Sequence, residues 1–246
     1  MTLQSDETQS PERVAMLQWV ARMGAVTAEA LAERDGCTVA SARARLLAAE
    51  RRRLLCRCRP LTGQPTLYSV TPAGMRAANM RGLDPCRISA TNAAHAIACA
   101  AVAAALERRY PSHRVLGERE LRRDEREHGR ALASAHMSPA QRGARLLHRP
   151  DLVLWPKDAA DGLPVAVEVE LTRKAPRRLA SICRAWARCR CVAGVIYLAA
   201  PDVRGPLERA IEQAHAGERV IALPLDALFG PQGPPGTIES TVAVGP

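Results

Sequence analysis

Apolar residues recur at helical spacing over residues 12–23, where Val14, Leu17, Trp19, Val20 and Met23 share a stripe that Gly24 closes. Thr27 stands where a second helix needs its N-cap, with Ala28, Ala30, Leu31 and Ala32 inside it. Asp35-Gly36 makes a turn, and Thr38 caps a third helix written TVASARARLLAAERRRL. Residues 54–59 and 66–70 then pair as two strands around the loop 60–65. Thr71-Pro72-Ala73-Gly74 opens another helix, since proline is tolerated in a first helical turn. Three helices followed by a strand hairpin predict a winged helix-turn-helix over residues 12–82, with the third helix as the recognition helix.

The pattern changes after residues 79–90, which read as a linker. Residues 91–109 are apolar nearly all the way round, so that helix should be buried on more than one side, with His95 as a packed core residue. A short strand at 113–116 leads into a strongly charged stretch beginning GERELRRDEREH, which reads as an exposed excursion with a loop at 134–143. Strand signals follow at 151–155, 165–171 and 192–199, helices at 175–189 and 205–216, and a last strand at 219–223. This alternation predicts an α/β (α+β) domain over 89–228, with parallel crossovers at its later end. Residues 1–11 and 230–246 read as flexible tails.

Charge narrows the function. The chain carries a net +10 and a sequence pI near 9.8, which favours a polyanionic partner. Ten arginines stand against five acids between residues 12 and 60, so the winged helix holds about half the surplus. Double-stranded DNA is the expected partner, with Arg43, Arg45, Arg51, Arg52 and Arg53 as its contacts; the competing reading is a winged helix used for protein contact or a homodimer. At 3% aromatic residues, the chain has little with which to stack unpaired bases. The polar N-terminus lacks a signal-like apolar run, and the apolar stretch 93–106 is too short for a bilayer, so the expectation is a cytoplasmic protein with no membrane association and reduced thiols. The CxC pairs Cys56/Cys58 and Cys189/Cys191 lack the usual zinc spacing and read as buried or incidental thiols.

The candidate chemistry lies in RPDLVLWPKDAADGLPVAVEVELTRK. Alternation along a strand puts Glu168 and Glu170 on one face, with Asp151 on the neighbouring strand. Carboxylates so gathered repel unless a proton or cation relieves them, and Mg²⁺ prefers such oxygen donors. The competing reading is glutamates on an exposed edge strand, paired with Arg173, Arg177 and Arg178.

Pro150-Asp151 followed 17 residues later by Glu168-Val169-Glu170 resembles the PD-(D/E)xK nuclease superfamily, with glutamate where lysine is usual. The resemblance implies a restriction-endonuclease-like domain. Asp151 and Glu168 would bind Mg²⁺, and Glu170 would act as a metal ligand or a water-positioning base. Lys174 would supply the missing cation if the chain bends back, and Glu118 or Glu120 would add a further acid. The whole order, including YSVTPAG, RPDLVLW, VAVEVELTRK and VAGVIYLA, is similar to the replication-relaxation family of plasmid and mobile-element proteins, which implies a role in DNA replication or relaxation. A catalytic set of Asp151, Glu168, Glu170 and Lys174 is thus expected. The alternative is a non-enzymatic transcriptional or replication regulator whose second domain serves for dimerisation or partner binding.

Overall fold

The computed structural model describes residues 10–84, 86–137, 146–158, 160 and 162–229. The expected tails therefore lie almost wholly outside the described residues, as does most of the expected loop at 134–143. The described chain is mixed α+β and divides into two compact units, at Ile97 and Ala98.

The first unit runs α1 (Pro11–Met23), β1 (Ala25–Val26), α2 (Ala28–Asp35), α3 (Val39–Arg51), β2 (Leu55–Cys58), β3 (Leu67–Val70) and α4 (Pro72–Ala77). The caps read from the sequence are in place. Thr27 Oγ1 accepts from Ala30 N at 3.1 Å and Thr38 Oγ1 from Ser41 N at 3.2 Å, while Gly36 takes the left-handed conformation that ends α2. β3 is the middle strand of a sheet ordered β1-β3-β2. Ala42, Leu46 and Ala49 turn the buried stripe of α3 inward, so Ser41, Arg43 and Ala44 face out.

The TPAG run has a steric cause. Thr71 N donates to Leu54 O at 3.0 Å, Thr71 Oγ1 donates to Arg53 O at 2.7 Å and accepts from Gly74 N at 3.1 Å. This draws α4 onto the residue that starts the hairpin. A Cβ on Gly74 would lie 2.1 Å from Leu54 O and 2.7 Å from Val70 Cγ1, so only glycine fits. Of the two readings of the CxC thiols, Cys56 takes the incidental one: it is exposed, because β2 is an edge strand and its outward face has no cover.

The unit boundary falls within α5 (Ala90–Arg109). By length and composition alone this 20-residue helix, with an 18-residue window at mean hydropathy 1.2, passes as long and apolar enough to cross a membrane, where the 93–106 stretch taken by itself does not. About 39% of the apolar window is buried inside the protein, and residues 102–106 are buried throughout, as an apolar surface all round the helix requires. His95 is half-buried.

The second unit continues with β4 (His113–Gly117), α6 (Glu118–His128), β5 (Ala135–His136), β6 (Leu147–His148), β7 (Leu152–Pro156), β8 (Val165–Glu170), α7 (Pro176–Ala187), β9 (Gly194–Ala199), α8 (Pro201–Gln213) and β10 (Val220–Pro224). The main sheet is ordered β10-β9-β8-β7-β4; β5 and β6 form a separate pair. β4, β7 and β8 make an antiparallel meander, and β8, β9 and β10 are parallel, joined by the crossover helices α7 and α8. One core cluster packs Leu116, Val153, Ala166, Val195 and Tyr197 of the sheet against Leu179, Cys183 and Trp186 of α7.

Two departures from the sequence reading matter. The charged excursion contains α6, whose Glu120, Leu121 and Glu125 are buried, because arginines bring the acids inside as ion pairs rather than leaving them in water. α8 begins at Pro201, ahead of the expected position, with a second proline at position 206 inside it. Pro206 has no N–H for the carbonyl of Asp202 four residues back, and Arg173 Nε donates to that carbonyl at 3.2 Å instead.

Candidate functional site

The register of the meander lines up the acids. Leu152 pairs with Val167 across β7/β8, so the next step sets Asp151 opposite Glu168. Gly117 pairs with Leu152 across β4/β7, so the next step sets Glu118 opposite Asp151, and Glu118 N donates to Asp151 O at 2.9 Å. Glu168 pairs with Tyr197 across β8/β9. In-register neighbours share a face, so Glu118, Asp151, Glu168 and Tyr197 form one row across four chain segments, on the side packed by α7. Glu118, not Glu120, is the acid from the preceding segment that joins it. Glu120 is 2% exposed and is held by Arg114 and, at 3.5 Å, by Arg123.

Asp151 is fixed by its own strand partner, its Oδ2 accepting from Val169 N at 2.8 Å. Glu168 and Glu170 are 4% and 3% exposed on the middle strand of the sheet, which removes the reading of glutamates on an open edge. His148 Nε2 lies 2.7 Å from Glu168 Oε1, and the imidazole packs edge-on against Trp186 with ring centroids 5.7 Å apart. Burial pushes the Glu168 carboxyl up; the His148 contact and the Lys174 charge pull it down, and the Asp151 charge adds to the rise. The chain turns after β8, and the Lys174 ammonium ion-pairs with Glu170.

The surroundings of the row are protonated and apolar. Burial first, and then the charge of Glu168, raise the Tyr197 phenol well above its usual range, so it stays neutral. Cys99 of α5 is likewise raised by burial and by the charges of Asp151, Glu168 and Glu118. Burial raises Cys183 of α7 to about 11, with Glu168 contributing.

His148 and Tyr197 are the members that motif reading did not single out, while Glu118 was one of two alternatives. His148 precedes the PD pair by two residues, and Tyr197 sits in VAGVIYLA, so both were visible as residues. Only the register joins them to Glu168. Among the described residues, Asp151, Glu168 and Glu170 do not bring three donor atoms within 4.8 Å of one another. Half-buried Asp151 and buried Glu168 are adjacent oxygen donors, the type that a hard divalent cation prefers. Glu170 is engaged with Lys174.

The five arginines of the expected DNA surface fall into two groups. Arg43 projects from the first half of α3 and is 55% exposed in its side chain, loosely paired with Glu29 at 3.6 Å. Arg45 is turned back to Asp35 at 2.6 Å and pins the turn between α2 and α3. Arg51, Arg52 and Arg53 are exposed at the C-terminal end of α3, about 12 Å further along the axis. Arg53 takes a positive φ of 59° in the position that usually holds glycine. A groove of about 590 Å³ lies between the start of α2 and α3 and the hairpin loop, with Arg43, Arg59, Gln64 and Tyr68 on its walls.

No family model, curated protein or solved structure matches the chain.

Proposed function

We propose that this chain is a DNA-binding protein of a plasmid or mobile element, of the replication-relaxation kind. In this reading a winged helix grips duplex DNA, and a nuclease-like domain hydrolyses a phosphodiester bond with Mg²⁺. The order α1-β1-α2-α3-β2-β3-α4 and the sheet β1-β3-β2 support the winged helix, and the cationic outer surface of α3 supports DNA as its partner. The meander followed by a parallel crossover supports the nuclease-like domain. The observation that carries the catalytic reading is the row Glu118–Asp151–Glu168, with the Lys174 ammonium delivered beside it.

Asp151 and Glu168 would hold the ion, which when bound lowers the pKa of a coordinated water and stabilises the departing oxygen. Glu170 steers Lys174, whose positive charge takes the place of the lysine missing from the strand itself. His148 orients the Glu168 carboxylate, and Val169 N orients that of Asp151. Supercoiled plasmid incubated with the protein and Mg²⁺ or Mn²⁺ tests this reading. Nicking by the wild type, lost in Asp151→Ala with gel shifts retained, supports it; no nicking by the wild type with either ion rejects the enzyme.

One observation favours a second reading. His148 on Glu168 and Lys174 on Glu170 compensate both buried acids with the protein's own groups. A regulator that keeps the fold for dimerisation or partner binding would look the same, and would give equal gel shifts for wild type and Asp151→Ala without cleavage.

A further inference from the structure

A groove of about 720 Å³ opens in the second unit between α6 and the β5/β6 pair. Arg122 and Arg126 line it one helical turn apart on α6, and Arg130 continues past Gly129, which ends the helix at a φ of 66°. His136 of β5 and Arg149, just after β6, line it too. The single acid on its wall is Glu125, which is buried and pairs with Arg149 at 2.9 Å. Four arginines against one carboxylate make a concave cationic surface, with cations on α6 about 6 Å apart.

The groove also borders the acid row through its own residues. Arg122 ion-pairs with Glu118, the first acid of the row. Arg149 follows His148, whose ring holds Glu168. The Arg122–Glu118 pair is half-exposed on both sides, and such pairs yield readily to a stronger anion. A repeating polyanion therefore fits better than a single small one, because only a chain of phosphates meets cations spaced along a helix.

We propose that this groove binds the sugar–phosphate backbone of the nucleic-acid strand that leads to the acid row. The proposal rests on the DNA-processing reading and adds a second contact surface, separate from the winged helix. Arg126, in the last turn of α6, and Arg130, just beyond the helix, are both exposed, so their replacement leaves the buried Glu120, Leu121 and Glu125 undisturbed.

The test uses the full chain and fluorescence anisotropy with a labelled duplex and its single strand, titrated over a salt series. Arg126→Glu with Arg130→Glu should weaken binding by about tenfold or more and flatten the log–log salt slope by about two units, one for each lost phosphate contact. Arg126→Lys with Arg130→Lys should stay near wild type, and thermal melts of both should match the wild type. Wild-type affinity and slope in the glutamate pair would overturn the groove. If Arg43→Ala still weakened binding in that case, the winged-helix reading would stand alone. A wild-type protein that bound neither DNA would remove the functional reading itself.

Discussion

Lys174 folds back onto Glu170, four residues earlier, and puts its ammonium against a carboxylate that is 3% exposed on the middle strand of the sheet. Removing a partner from a buried pair leaves an uncompensated charge. Lys174→Met should therefore cost about 2 kcal/mol, below the usual figure for a fully buried pair, because the lysine is one-third exposed. Adding Glu170→Gln to that variant should restore most of the loss. Chemical denaturation of the four proteins in the cycle measures the coupling, and additive single losses would contradict it.

Glu168 gives a pH prediction. Its carboxyl is pushed up by burial, so ionising it costs the folded state more than the unfolded one. For a raised acid, stability is fully present below the unfolded pKa of about 4.3 and declines as pH rises through the folded value. Glu168→Gln keeps an oxygen for His148 and removes the ionisation. The variant should melt higher than wild type near neutral pH, and the two should converge as the pH falls toward 4. Plasmid nicking should be lost in the same variant. A wild type that gained stability relative to the variant with rising pH would reverse the sign and remove burial as the dominant influence.

Gly74 is constrained by contact with backbone. Gly74→Ala should cost about 3 kcal/mol, since the new methyl would meet Leu54 O and the backbone must shift. Gly217, around which a Cβ meets nothing within 4 Å, is the control, and Gly217→Ala should be close to neutral. Urea unfolding of the two variants separates these outcomes.

Arg43 and Arg45 should separate binding from folding. Arg43→Ala should lower the salt slope for duplex DNA by about one unit and leave the melting temperature alone. Arg45→Ala loses its bond to Asp35, so it should lower stability by under about 1 kcal/mol, with a smaller effect on DNA. Equal binding losses in the two would place both side chains on DNA.

Much of the first unit was legible from local signals, because Thr27, Thr38 and Thr71 cap three of its helices and Gly24 and Gly36 end two of them. β1 was not: two residues have no period, and its pairing to β3 depends on a partner more than 40 residues away. In the second unit the strands of the main sheet were visible as apolar runs. The two-residue strands β5 and β6 were not, β5 lying in the expected loop, and burial of α6 was hidden by its charge. Glu120 and Glu125 look solvent-facing until Arg114 and Arg149 are brought beside them by other elements, with Arg123 of α6 itself adding to Glu120. The acid pair Asp151/Glu168 could be read from alternation and spacing. Its neighbours His148 and Tyr197 could not, and Glu118 could not be told from Glu120, because adjacency across strands is a property of register and not of any one segment.

The proline within α8 reaches further than its own helix. By leaving Asp202 O without its helical donor, Pro206 creates an acceptor that Arg173 occupies, and Arg173 is the residue before Lys174. A missing hydrogen in one crossover thereby moors the bend after β8, and the spot where the lysine comes to rest is decided partly by an absence some thirty residues downstream.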